Sequence, residues 1–185
     1  MMLSKKRSLF YLTAGILFTA LAGTALHFLF DWSGRRLSAA LIAPVNESVW
    51  EHLKLLFFPM LFYSVWEYLI RKPGPAFLSS RTCGILSGLA AIVFFFYTYT
   101  GIFGTDVFWA DILIFLAADI LAFLISFFSE KRKNSCPDPA DGCRSASLLC
   151  VSLLLLLTLL FFLLTFFPPA IPLFQDPQTG GYGIG

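Results

Sequence analysis

The two histidines of the chain, His27 and His52, stand in short polar strings that interrupt an otherwise apolar sequence. The first string is His27 with Asp31-Trp32-Ser33-Gly34. The second is Pro44-Val45-Asn46-Glu47-Ser48-Val49-Trp50-Glu51-His52-Leu53-Lys54. Imidazole and carboxylate are the ordinary ligands of Zn²⁺ and other borderline divalent ions. His27 and Asp31 are four residues apart, as are Glu47 and Glu51, and Ser48 and His52. On a helix each such pair shares one face. His27, Asp31 and His52, with Glu47 or Glu51 as a fourth group, therefore make a candidate metal site, with Zn²⁺ or another divalent ion as the candidate cofactor. A carboxylate left outside the ligand set can act as general base on a metal-bound water. Glu51, Glu47 and Ser48 are accordingly the candidate catalytic residues.

The same residues have a plainer use. Ser48-Val49-Trp50-Glu51 reads as a capping box, in which hydroxyl and carboxylate satisfy backbone N–H groups at a helix start. Asn46 is a good N-cap, acids suit the positive end of a helix, and Lys54 can pair with Glu51. Trp32 and Trp50 fit an interfacial aromatic belt. The spacing matches no His-Glu-x-x-His metalloprotease motif. Asn46-Glu47-Ser48 also reads as a glycosylation sequon, but too close to the membrane for a transferase to reach.

Two further acids, Asp111 and Asp119, fall inside an apolar run. Eight residues place them about 80° apart in azimuth and ~12 Å apart along a helix. A carboxylate at the depth of Asp119 costs at least ~2.5–3.5 kcal/mol unless protonated or paired. No basic residue is expected at mid-depth, so a protonated acid or a bond to Ser, Thr or Tyr (Tyr63, Tyr97 or Tyr99) is the expected remedy. Asp106 is expected to cap the same helix, and Glu67 to pair with Arg71 near a membrane surface.

The elements that must position these residues are membrane spans. Of the 185 residues, 58% are hydrophobic and 13% charged. A soluble domain carries about 25% charge, so this chain has too little to coat a water-exposed surface. Runs of about 18 apolar residues or more, each able to cross ~30 Å of hydrocarbon, predict five helices near residues 8–30, 49–70, 82–100, 106–128 and 145–167. Arg71-Lys72-Pro73-Gly74-Pro75 separates the second from the third, Gly101 to Thr105 the third from the fourth, and a polar loop from Glu130 to Arg144 the fourth from the fifth. Pro168-Pro169 ends the last span, leaving a Pro/Gly-rich tail, 168–185. The whole chain is one transmembrane domain. The basic opening with Ala20-Leu21-Ala22 imitates a signal peptide, but the apolar run continues past it and reads as an uncleaved anchor.

With the N-terminus inside, the inner segments hold Lys5, Lys6, Arg7, Arg71, Lys72, Arg81, Lys131, Arg132, Lys133 and Arg144. The outer ones hold only Arg35, Arg36 and Lys54. The positive-inside rule therefore predicts a cytoplasmic N-terminus, with both polar strings and the tail outside. The apolar, aromatic tail is expected to fold back over the polar site. No basic stripe with interleaved aromatics points to nucleic acid. The lipid bilayer is the expected partner, with a second copy or another membrane protein as further candidates. Cys83, Cys136, Cys143 and Cys150 then lie on the reducing side and are expected as free thiols. No internal repeat of the kind common in transporters is visible.

Three strings carry a resemblance: His27-Phe28-Leu29-Phe30-Asp31-Trp32, then Asn46-Glu47-Ser48-Val49-Trp50-Glu51-His52-Leu53-Lys54, then Pro172-Leu173-Phe174-Gln175-Asp176-Pro177-Gln178-Thr179-Gly180-Gly181-Tyr182-Gly183. Together they resemble an uncharacterised family of small integral membrane proteins from Gram-positive anaerobes. The resemblance implies a bacterial plasma membrane and brings no activity with it. The polar cluster also looks like the His/Asp/Ser sets of multi-span zinc hydrolases, though it lacks a third histidine. The expected protein is an all-α, five-span bundle with a polar site at the outer surface, and a metal-dependent hydrolase acting on a lipid or peptide is one class such a site could serve. The alternatives are a transporter or channel subunit using Asp111 and Asp119, or an accessory subunit without chemistry.

Overall fold

The computed structural model describes residues 2–134 and 140–184, with side chains for residues 8–133 and 147–184. Among the described residues the chain is helical, with α1 (Met2–Trp32), a short α2 (Leu37–Ala40), α3 (Val49–Arg71), α4 (Ala76–Phe103), α5 (Phe108–Asn134) and α6 (Ala140–Phe166). A 3-10 turn, Pro172–Phe174, follows, and Gln175 and Tyr182 form an isolated antiparallel bridge. Five helices contain stretches long and apolar enough to span a membrane: Ser8–Trp32, Val49–Arg71, Ala76–Phe103, Phe108–Lys133 and Ser147–Phe166. Large apolar side chains such as Phe10, Leu21, Phe94, Leu113 and Leu155 point outward along them. In water that surface would be untenable; in hydrocarbon it is the natural exterior. The chain is thus a multi-pass helical membrane protein.

The chain's stop signals explain the boundaries. Ser48 caps α3, accepting the Glu51 N–H at 3.4 Å. Lys72, in the left-handed region, ends it before Pro73. The third helix is longer than expected at both ends. Pro75 immediately precedes its first turn, where proline is tolerated, so residues from Ala76 onward are already helical. Gly101 is carried inside the helix, and Gly104, at φ 74°, terminates it. The expected polar loop after the fourth span is also partly helical, since α5 runs on to Asn134 and α6 begins at Ala140. Asp106 lies two residues before α5, and the Val107 carbonyl accepts the first helical N–H groups. Cys83 and Cys150 are free thiols; Cys136 and the Cys143 side chain lie outside the described residues.

Helix α3 forms the centre. Of its apolar window 61% is buried, against 28% or less for the others. Leu56, Phe57, Phe58 and Met60 pack with Ile85, Ala122, Phe123 and Phe161 from α4, α5 and α6. α4 and α5 approach closely through Gly84 and Gly88: a Cβ on Gly84 would stand 2.3 Å from the Ala122 carbonyl oxygen. Small residues let helix backbones touch where lipid supplies no hydrophobic drive between helices.

One end of the bundle holds buried charge. Arg71 bonds Glu67 at 2.5 Å and also bonds Glu130, while Arg81 bonds Glu67 from α4. The expected Glu67–Arg71 pair is therefore half of a four-membered network. Beside it lies a cavity of about 410 Å³ lined by residues including Leu61, Tyr68, Phe77, Arg81 and Leu154. Both polar strings lie at the opposite end.

Candidate functional site

At that opposite end α1 finishes, α3 begins and α6 finishes. Two neighbouring acids of the second string go to different places. Glu51 turns inward: its Oε2 accepts from Val45 N–H (3.0 Å) and from Lys54 Nζ (2.7 Å), and its Oε1 accepts from Thr165 Oγ1 (2.8 Å). Lys54, wholly buried, donates also to the carbonyls of Ala40 (2.8 Å) and Ala43 (3.3 Å). This knot ties the α2 loop, α3 and α6 together. The capping box is half made, because the Glu51 carboxylate satisfies Val45 N–H while Ser48 N–H donates to Asn46 Oδ1 (3.0 Å).

Glu47 turns outward. Its Oε2 lies 3.3 Å from His52 Nε2, and the His27 ring sits beside His52 with centroids 5.3 Å apart. His27, Glu47 and His52 each offer a ligand atom within 4.8 Å of the others. All three are part-buried. Asp31 lies outside this group and is exposed; Glu51 is outside it and committed to Lys54. Ser48 is buried as the cap. Of the expected ligands, the structure therefore brings together His27, His52 and Glu47, and leaves Asp31 and Glu51 outside the group.

The protonation of His52 follows from its partners. Nδ1 lies 3.0 Å from the Ser48 carbonyl oxygen, which can only accept, so Nδ1 carries the hydrogen. In the neutral ring Nε2 then presents a lone pair towards a carboxylate. Two lone pairs at 3.3 Å require a cation between or upon them: a proton on Nε2, or a metal ion. The Nδ1–H to backbone bond is the support that metal-binding imidazoles commonly have. The His52 side chain holds the Glu47 carboxyl below its ordinary range, against the opposing effect of burial. Buried His27 Nδ1 has no hydrogen-bond partner among the described residues.

Asp111, at the start of α5, accepts a hydrogen bond from Tyr99 of α4, and Tyr99 also accepts from Val107 N–H (3.1 Å). Asp111 is near enough to His52 for their charges to interact. Sequence spacing alone grouped Asp111 with Asp119; the fold places it at the histidine end of the bundle, within electrostatic reach of His52. Asp119 is at mid-span, wholly buried, with no partner on either oxygen among the described residues. Neither Tyr63, which donates to the Tyr11 carbonyl (2.7 Å), nor Tyr99 serves it.

The tail returns to this end. Phe174 packs on Trp50 with centroids 4.9 Å apart, and Asn46 Nδ2 donates to the Gly183 carbonyl (2.9 Å). The asparagine of the sequon is thus engaged inside the fold.

Neither the curated proteins nor the solved structures include a match to this chain. The sequence model of one family matches residues 1–184, nearly its whole length, in keeping with the resemblance to uncharacterised membrane proteins. The chain belongs to that family, the Family of unknown function (DUF6512).

Proposed function

We propose that His27, Glu47 and His52 hold a divalent transition-metal ion, Zn²⁺ foremost, at the outer surface of a bacterial plasma membrane, as the metal centre of a hydrolase acting on a lipid or peptide. The observation that carries the reading is the convergence of His52 Nε2 and the Glu47 carboxylate at 3.3 Å beside a second imidazole, with His52 Nδ1 held by the Ser48 carbonyl. Two imidazoles and a carboxylate suit Zn²⁺ chemically. Bonds of about 2.0–2.2 Å in a tetrahedral site set ligands roughly 3.3–3.5 Å apart. The His52–Glu47 separation already meets that spacing. Three protein ligands leave a fourth position open, the pattern of catalytic rather than structural sites. A bound divalent ion supplies Lewis acidity towards a carbonyl, a phosphoryl group or water. Asp111, oriented by Tyr99 and outside the ligand group, is the carboxylate available to take a proton.

The outer location rests on the excess of Lys and Arg at the other end of the bundle, with the N-terminus cytoplasmic. Metal analysis of detergent-purified protein tests the reading. About one metal per chain is expected, lost in His27→Ala and His52→Ala. A well-folded wild type that neither retains nor takes up a divalent ion overturns it.

A further inference from the structure

Asp119 sits at a crossing where three helices share one register. A Cβ on Gly15 of α1 would meet Phe123 of α5 and Tyr63 of α3, and one on Gly23 would meet Phe115 of α5 and the Leu55 carbonyl oxygen of α3. Gly15, Thr19 and Gly23 are spaced by four on one face of α1. Phe115, Asp119 and Phe123 are likewise spaced on α5, and Leu55, Pro59 and Tyr63 on α3. The two contacting levels therefore bracket a third, at which Thr19, Asp119 and Pro59 face one another. All three are wholly buried. The Thr19 hydroxyl and both Asp119 oxygens have no hydrogen-bond partner among the described residues.

Pro59 adds a third oxygen. Lacking an N–H, it cannot make the helical bond to the carbonyl four residues earlier. That carbonyl belongs to Leu55, and it faces α1 at Gly23, within 2.6 Å of where a Cβ would stand. Carbonyls point towards a helix's C-terminal end, so from Leu55 this one leans towards the level of Thr19 and Pro59. The titratable groups on the helices packed around Asp119 are Tyr63 and Lys54 on α3, His27 on α1, Arg81 on α4, and Asp111 and Glu130 on α5, and Lys54 is engaged by Glu51 and the Ala40 and Ala43 carbonyls. Tyr63 and Lys54 are between one and two turns away in register and the others two turns or more, and the Arg81 guanidinium lies over the Phe123 ring, which stands between it and Asp119. An intramembrane carboxylate without a partner is a functional site by default, and a carbonyl freed by a helix break is a recurrent partner for Na⁺ or H⁺.

We propose that Asp119, Thr19 and the Leu55 carbonyl freed by Pro59 form an oxygen-lined site between α1, α3 and α5 for a hard monovalent cation, either a proton or Na⁺. It uses none of the metal-site residues and stands or falls apart from them. A proton makes Asp119 a neutral acid that donates to Thr19 or the Leu55 carbonyl. Na⁺ instead leaves a carboxylate coordinated with the other two oxygens.

Two measurements on the full-length protein in detergent test it. The first is infrared difference spectroscopy of the carboxylic-acid C=O stretch between about pH 5 and about pH 11, spanning carboxyl and lysine ranges. The second is Tm in NaCl against choline chloride. A proton site gives an acid band that disappears as pH rises, is missing in Asp119→Asn, and shifts in Thr19→Val and Pro59→Ala. A Na⁺ site gives a Tm rise of about 5 °C or more in Na⁺ at a hundredfold excess over Kd, lost in Asp119→Asn. Should Asp119→Asn fail to fold, the wild-type titrations still decide. An acid band constant across the whole pH range, or absent from it, with no Na⁺ effect on Tm, overturns the proposal.

Discussion

Glu47 and Glu51 are one helical turn apart in sequence, and the regions they build are opposites. Around Glu51, both carboxylate oxygens are engaged, by Val45 N–H, Lys54 and Thr165, and Lys54 spends its three N–H donors on Glu51 and the Ala40 and Ala43 carbonyls. Around Glu47, a carboxylate and the Nε2 of an imidazole face each other beside a second imidazole. The first region is closed, with no capacity for a ligand. The second is half-open, and either a proton or a metal ion completes it. Saturated polar groups hold structure together, and unsaturated ones that converge are where chemistry is available.

The two regions fail differently. Glu51→Gln leaves the Lys54 ammonium buried without its counter-charge, and a destabilisation of about 3–5 kcal/mol is expected. It is read as a lowered Tm and reduced yield of monodisperse protein. The double variant Glu51→Gln/Lys54→Met should recover most of that loss, because removing both charges is often near neutral. Any metal-content change in these variants should follow unfolding only. A Glu51→Gln protein of wild-type stability would show that the knot is not what holds the α2 loop to α3.

The open region should respond in binding. His52→Ala and His27→Ala should each lower Zn²⁺ affinity at least tenfold, with stability of the metal-free protein changed by less than about 1 kcal/mol. Zinc at a hundredfold excess over the wild-type Kd should add about 2.7 kcal/mol to wild-type stability and no more than about 1.4 kcal/mol to either variant. Calorimetric titration on chelator-treated protein checks both numbers. Loss of stability without loss of zinc binding would reverse the assignment of the two regions.

The spans were legible because length and apolar content decide them, and Ser48 was legible as a cap because its signal is local. The destination of Glu51 was not. Two of its knot's anchors are backbone carbonyls, which any residue carries, and a third is Thr165, 114 positions away. Asp31 shares the helical face of His27 by spacing, yet in the last turn of α1 it is left exposed. Glu47 precedes α3, so helix periodicity says nothing of where it points; the Asx turn of Asn46 on Ser48 N–H sets that. In the same way Glu67–Arg71 could be read from an i, i+4 spacing, while Arg81 and Glu130 required the packing of α4 and α5.

Ser48 belongs to both regions and so sharpens the line between them. Its hydroxyl caps α3 and its carbonyl orients His52. Ser48→Ala removes only the first function. It should cost about 1 kcal/mol of stability while zinc affinity changes less than twofold. A large loss of affinity would mean that the open site depends on the cap, and the two regions would then be one.

The smallest effect is in pH. Glu47 is ionised at neutral pH and its folded-state pKa is lowered from the model-compound value of 4.5, chiefly by the His52 hydrogen bond. A lowered carboxylate pKa contributes stability that is fully present above the unfolded value and is lost as pH falls through the folded one. The Glu47 side chain is 40% exposed, so solvent screening limits the contribution to well under 1 kcal/mol. In metal-free protein, wild type should therefore exceed Glu47→Gln in Tm slightly at pH values above about 5, and the two curves should converge on further acidification. Zinc should widen the gap progressively as pH rises, because the imidazoles must give up their protons to bind it. A gap that grew towards acid pH would mean that the carboxylate destabilises the fold unless protonated, and that Glu47 is held against a group other than His52.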